Sequence, residues 1–301
     1  MSDPSLASAH SLFDLARDCG DRLAAVHRTQ IRREPWPDFE GFERERYPLE
    51  LRREAAEQWA GRARAEHGSI HQFSQIAHAL ATARAPLVLL GALARLITDE
   101  VRHAELCFAM AVACEPELSP GPASWPALTT PWKPPPPDAD DAALLAWASR
   151  AILIACCIGE TISRPMLDAI ATVATDPVAE GCARQILRDE HLHATFGWEA
   201  LAHLVPRLGA AERELLQETL RTSLAGFEQS TACGVSVAEL AGTELEISRD
   251  PTTPNLGLLT PTQYAAIFYS TLETEVFPKL VELGLDPVDA WARRGEAIPE
   301  G

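Results

Sequence analysis

The chain is short of positive charge. It has 26 Lys and Arg against 43 Asp and Glu, a formal net charge of −17. A phosphate backbone needs a basic footprint, so nucleic acid is excluded as a partner. The seven cysteines are odd in number and include no Cys-x-x-Cys pair. That excludes a disulfide framework, a zinc ribbon and a rubredoxin-type iron site, and it predicts free thiols in a reducing cytoplasm. No apolar run approaches the ~20 residues of a membrane span. The opening Met-Ser-Asp-Pro-Ser lacks the basic start and apolar core of a signal peptide, so neither a membrane nor export is expected. Tyrosine is scarce, at Tyr47, Tyr264 and Tyr269 only, and flavin and iron–sulfur motifs are missing, so electrons for any redox chemistry must come from an external donor.

What is present is helical patterning. Residues 5–28 read as one amphipathic helix, with Leu12, Leu15 and Leu23 among its apolar positions. Residues 29–48 are charged, with Trp36, Phe39, Phe42, Tyr47 and three prolines, and read as an irregular arm lying on the domain. Apolar residues at helical spacing then predict helices over about 49–83 and 86–114. Residues 115–138 contain nine prolines, which no helix or sheet interior tolerates. They predict a long extended crossover.

A third helix is predicted over about 140–174, with a kink at Pro165. Asp176-Pro177 is an N-cap followed by proline at the first helical position, and it starts a fourth helix that Pro206 and Gly209 close. Further helices are expected over 210–229, from Thr260-Pro261 to about 283, and after Asp286-Pro287, with mixed, loop-like sequence over 231–260. This divides the chain into an N-terminal helix and arm (1–48), a four-helix unit (49–205) and a C-terminal helical extension (206–301).

Two of the predicted helices carry nearly the same string, Asp99-Glu100-Val101-Arg102-His103 and Asp189-Glu190-His191-Leu192-His193. A Glu and a His three apart lie one turn apart on one helical face. Both pairs fall on apolar stripes. The first stripe runs through Leu93, Glu100, His103, Cys107 and Met110, the second through Ile186, Glu190, His193, Gly197 and Leu201. Glu66 falls on the stripe of the first helix with Phe73 and Leu80, and Glu160 on that of the third with Cys156 and Leu167. The helix pairs are a duplication, with Glu66 preceding Glu100 by 34 residues and Glu160 preceding Glu190 by 30.

Four inward Glu and two inward His suit a pair of metal ions. Carboxylates are hard donors able to bridge, and imidazole suits Fe, Mn and Zn. Four carboxylates, two neutral imidazoles and two divalent ions sum to zero charge, which a low-dielectric core requires. Asp99 and Asp189 are assigned as partners that each fix the ring of a ligand His, the one across the pair.

These residues resemble the ligand set of the ferritin-like di-iron carboxylate superfamily over about residues 49–205. The resemblance rests on Glu66, Glu100-x-x-His103, Glu160 and Glu190-x-x-His193. It implies an all-α, ferritin-like four-helix bundle with its long crossover between helices two and three, here with extra N- and C-terminal helices. Asp99–His103 also resembles the Asp-Glu-x-Arg-His motif of bacterial multicomponent monooxygenases, from which the second copy departs at Leu192. The stretch from Ala65 to Phe73 resembles the Ala-Glu-His-x-Ser-x-x-x-Phe start of a group of bacterial ferritin-like domain proteins.

Cys107 stands where ribonucleotide reductase small subunits carry a radical tyrosine, as it does in the soluble methane monooxygenases. Ile186 stands where arylamine N-oxygenases carry a seventh ligand. Both departures narrow the implied chemistry.

The resemblance implies two Fe ions, with Mn or mixed Mn/Fe also compatible, and O2 as co-substrate. The implied activity is an oxidase or oxygenase that hydroxylates, desaturates or N-oxygenates a small molecule. Iron oxidation and handling without an organic substrate, or a manganese site that dismutates peroxide, are the alternatives. A homodimer is compatible with the pattern. Ser69, Phe73, Cys107, Ser163, Arg164, Phe196 and Gly197 follow the ligands at helical spacing and are the candidate substrate-pocket residues. Arg164 either anchors a substrate carboxylate or is a surface residue paired with an acid. Gly197 either leaves room for a ligand or permits close helix contact.

Overall fold

A computed structural model describes residues 21–118, 133–241 and 247–296. Every regular element among the described residues is helical. Helix α1 spans Asp21–Ile31, so Leu12 and Leu15 of the expected N-terminal helix lie outside the described residues. The arm that follows is irregular apart from one turn at Arg44–Arg46.

Four long helices come next. They are α2 (Leu49–Thr82), α3 (Leu87–Cys114), α4 (Asp141–Val173) and α5 (Pro177–Leu204). Helix α2 packs along α3, α3 along α5, α5 along α4, and α4 along α2, so the four close around one core. Pro86 is the N-cap residue of α3 rather than its first helical residue.

The caps written in the sequence act as such. Asp176 accepts from the Val178 and Ala179 N–H groups, and the Tyr47 hydroxyl in turn donates to Asp176 at 2.6 Å. This joins the arm to the start of α5, and a cap of this kind contributes about 1 kcal/mol. Asp286 likewise accepts from the Asp289 N–H at the start of a later helix, and the structure adds a cap not read from the sequence, Asp140 accepting from the Ala143 N–H at the start of α4.

Helix α4 differs from expectation. The irregularity lies upstream of Pro165, in a π-helical segment over Leu153–Gly159, and the helix continues through the proline to Val173. The widened i→i+5 turn ends one position before Glu160, and π segments of this kind are frequent at functional sites. Helix α4 is also long and apolar enough by composition to cross a membrane, which run length did not indicate, yet 67% of its most apolar window is buried inside the protein.

After the four helices come α6 (Ala210–Thr231), α7 (Val237–Leu240), α8 (Pro261–Thr271), a π-helical turn (Leu272–Val276), α9 (Phe277–Glu282) and α10 (Pro287–Ala292). This part is anchored to the four helices through buried polar contacts. The fully buried Trp59 of α2 donates its indole N–H to the Leu256 carbonyl at 2.8 Å, and Arg62 donates to the Tyr264 hydroxyl at 2.5 Å. An indole that keeps a hydrogen-bond partner gains its apolar burial without an orphaned donor. Of the crossover, residues 119–132 lie outside the described residues, and Lys133 on its far side accepts from the Trp147 indole at 2.7 Å. The described cysteines are all free. Cys107, Cys114, Cys156, Cys157 and Cys182 are buried and Cys233 is exposed.

Candidate metal centre

The two Asp-Glu-x-x-His motifs sit on neighbouring helices, α3 and α5. Asp99, Glu100, His103, Asp189, Glu190 and His193 are all buried. Glu160 of α4 is buried and Glu66 of α2 retains 15% side-chain exposure. All four helices thus contribute a carboxylate to one place, and α3 and α5 add the imidazoles.

Each imidazole presents Nδ1 to the carboxylates. His103 Nδ1 lies 3.8 Å from Glu66 Oε2, 3.8 Å from Glu100 Oε1 and 3.6 Å from Glu190 Oε1. His193 Nδ1 lies 3.0 Å from Glu100 Oε1 and 3.6 Å from Glu160 Oε2. The opposite ring nitrogens face the aspartates, each from the other helix. His103 Nε2 is 3.2 Å from Asp189 Oδ2, and His193 Nε2 is 3.6 Å from Asp99 Oδ2. The arrangement is crossed, each motif's aspartate facing the other motif's histidine, with a hydrogen bond from His103 to Asp189 and a longer approach between His193 and Asp99.

The ligand atoms of Glu100, His103 and His193 lie within 4.8 Å of one another, and so do those of Glu160, Glu190 and His193. Glu66 falls in neither triad and meets the cluster through His103. Both oxygens of Glu100, one of Glu190, the Nδ1 of His103 and both ring nitrogens of His193 are buried without a hydrogen-bond partner. Buried polar atoms are normally satisfied, and here the orphans converge. A cation is the group that would satisfy several acceptors at once, so the donor set fits a pair of divalent ions.

The electrostatics of the metal-free cluster agree. Burial and the charges of neighbouring glutamates push the Glu100 and Glu190 carboxyls well above the usual carboxylate range. Burial alone would lower the His103 imidazole, but Asp189 and Glu66 outweigh it and raise it to about 9. His193 is raised further against burial by Asp99, Glu100 and Glu160. Burial opposes the charge on Asp189, yet the bonds from His103 and Arg102 hold its carboxyl down to about 2. Glu100 and Glu190 thus resist ionisation while the aspartates behind the imidazoles stay charged.

Sequence reasoning missed the arginines that keep those aspartates charged. Arg102, the fourth residue of the first motif, is fully buried between Asp99 and Asp189 and bonds both, the latter at 2.5 Å. Its signal was the arginine in the first motif, absent from the second. Arg95, one turn before Asp99, donates to both of that residue's oxygens at 2.8 Å. Arg33 of the arm donates to Asp189 Oδ1 at 2.5 Å, a contact no local pattern announces.

The predicted pocket residues divide. Phe73 is buried and stands edge-on to the His193 ring, with centroids 6.4 Å apart. Cys107 is buried, and burial with the nearby Glu66 charge pushes its thiol well up. Phe196 is buried, Ser163 half-buried, and Ser69 donates to its own helix at the Ala65 carbonyl.

Arg164 does not reach the cluster. It is paired by Nη2 to both oxygens of Glu275 at 2.6 and 2.7 Å, as a tie between α4 and the C-terminal part. Gly197 lines no open space either. A Cβ there would stand 2.6 Å from the Cys156 carbonyl carbon. The glycine therefore admits the widened π turn of α4 against α5. A described groove of about 350 Å³, bounded by His71, His78 and Pro134 to Pro137, contains none of the predicted pocket residues.

No family model matches the chain, and neither does any curated protein or any solved structure.

Proposed function

We propose that this chain is a ferritin-like di-iron carboxylate protein that activates O2 to oxidise a small organic molecule. The observation that carries the reading is the convergence of unpartnered carboxylate oxygens and Nδ1 atoms from two crossed Asp-Glu-x-x-His motifs. Glu66, Glu100, His103, Glu160, Glu190 and His193 would together hold the two ions, the first group of donors centred on Glu100 and His103 and the second on Glu160 and Glu190. Two ferrous ions held there would supply electrons for the reduction of O2. Manganese satisfies the same ligand types.

The protein's own part is to hold and tune. Asp99 and Asp189 fix ring orientation and raise the basicity of the ligand nitrogens. Phe73 covers the His193 ring on an apolar side, which keeps water from that face. The buried Cys107 and Cys156 thiols flank the cluster one helical turn from His103 and Glu160 and stay protonated.

The test is anaerobic titration with Fe(II), followed by O2 and measurement of oxygen uptake. The expected result is saturation at about two ions per chain, then O2 consumption that continues when a reductant is supplied. Iron loading far beyond two per chain would favour a storage role. No uptake of metal, or uptake unaltered in Glu100→Ala with His193→Ala, would overturn the reading.

A further inference from the structure

The second motif lacks its own arginine. At the position where the first motif has the buried Arg102, the second has Leu192, which is 39% exposed. The two buried aspartates therefore share one internal guanidinium. The difference is made up unequally. Asp99 receives Arg95 from its own helix, one turn back, on both oxygens. Asp189 uses Oδ2 for Arg102 and His103. Its Oδ1 takes Arg33 Nη1 at 2.5 Å, with Arg95 Nη2 farther off at 3.5 Å.

We propose that Arg33 is a positioning residue of the metal centre, so that the arm before the four helices supplies the guanidinium the second motif lacks. The inference rests on the metal-centre reading above. A carboxylate held through one oxygen pivots about its Cβ–Cγ bond. A second strong bond on the other oxygen fixes the plane of the group, and with it the angle at which Oδ2 meets His103. A charge-assisted bond from a guanidinium is the strongest neutral-pH donor for that purpose. Arg33 acts through Asp189 on His103 and so on the ion that His103 holds.

The arm is positioned independently of the Arg33 contact. Arg102 donates to the Ile31 carbonyl at 3.0 Å, and Arg32 donates to the buried Glu105 at 2.9 Å. His27 lies 3.1 Å from the same Glu105, and Gln185 donates to the Pro35 carbonyl. Residues on both sides of Arg33 are thus tied down by other bonds. Its side chain remains 41% exposed, so removing it opens no core cavity.

The experiment uses the full chain with Co(II) as probe, because the visible absorption of bound Co(II) reports ligand geometry. Arg33→Ala is expected to keep the far-UV circular dichroism of the parent. It should bind one of the two Co(II) ions roughly 10- to 100-fold more weakly, the range for loss of a partner behind a ligand, with an altered Co(II) spectrum. Arg33→Lys is expected to restore part of the affinity, since an ammonium keeps the charge but not the planar fork. Arg32→Ala, which cuts the tie to Glu105 and spares the Asp189 contact, is expected to match the parent in affinity and spectrum.

Parent-like affinity and spectrum in Arg33→Ala would overturn the inference. So would an Arg32→Ala variant as impaired as Arg33→Ala, because docking of the arm would then be the cause. Failure of the unsubstituted chain to take up Co(II) would instead overturn the metal-centre reading itself.

Discussion

Asp189 Oδ2 lies 3.2 Å from His103 Nε2, so the aspartate of the second motif serves the histidine of the first. The bond fixes which ring nitrogen carries the proton. In the neutral ring that a cation requires, Nε2 donates to the carboxylate and Nδ1 is left as a lone pair facing Glu66, Glu100 and Glu190. Asp189→Asn keeps the shape and removes the charge. Affinity for a divalent probe such as Co(II) is expected to fall roughly 10- to 100-fold, measured by competition with a chromophoric chelator. Unchanged affinity would show that the aspartate has no part in tuning the ligand.

Removing ligands from both helices should do more. In Glu100→Ala with His193→Ala, each triad of donor atoms loses at least one member. Elemental analysis after loading and desalting should find the bound metal lost, while the helical signal in circular dichroism persists. The second part follows from relief of strain, since the buried Glu100, Glu160 and Glu190 carboxylates repel one another when no cation is present.

The metal-free protein has a definite pH dependence. Glu100 and Glu190 are raised above their unfolded values, and His103 is raised from 6.5 to about 9. Between the unfolded and folded pKa values the folded chain binds more protons than the unfolded chain, so stability falls as pH rises. The lowered carboxyls, Asp99, Asp189 and Glu66, act in the opposite sense, but only below about pH 4.5. With chelator present, the thermal midpoint should therefore drop from pH 6.5 to 9, and saturating divalent metal should flatten the slope. A metal-free midpoint that rises over that interval would contradict the account.

Gly197→Ala tests the helix contact. Its new methyl would meet the Cys156 carbonyl carbon at 2.6 Å, and backbone cannot rotate away as a side chain can. Overpacking of this kind costs about 1–3 kcal/mol, readable as a lower midpoint in urea. A glycine that merely lined a ligand space would accept the methyl without loss of stability.

Arg164→Ala should behave differently. Its pair with Glu275 is more than a third exposed on both partners, so solvent screening leaves it worth at most about 1 kcal/mol. Metal uptake and the rate of Fe(II)-dependent O2 consumption are expected to equal those of the parent. A selective rise in KM for an acidic substrate would return Arg164 to the role of anchor.

The elements legible in sequence were those set by local chemistry. Asp176-Pro177 and Asp286-Pro287 mark helix starts because a capping carboxylate needs only the next three residues. The stripes through Glu100, His103, Glu190 and His193 were legible because the 3.6-residue period persists through these buried polar residues themselves. Arg33 was not legible, because its partner lies 156 positions away and the arm has no period to read. Arg164 and Gly197 were visible as positions on a face, but the partner on the other side was not. Glu275 and the Cys156 backbone come from elements whose placement depends on tertiary packing. The π segment escaped for a related reason. Leu153–Gly159 is ordinary helical sequence, whereas Pro165 drew attention to the wrong turn.

That π segment makes α4 a shaft with two screw threads cut out of phase. Upstream, Leu144, Trp147 and Ala151 follow one thread, and downstream Glu160 and Leu167 follow another. Deleting a single residue between Leu153 and Gly159 would let the threads run true, and each α-helical residue turns the chain by about 100°. The upstream ridge would then keep its seat while Glu160 swung away from His193. A deletion in this stretch, which holds no charged side chain, would take Glu160 out of the cluster as surely as removing the glutamate.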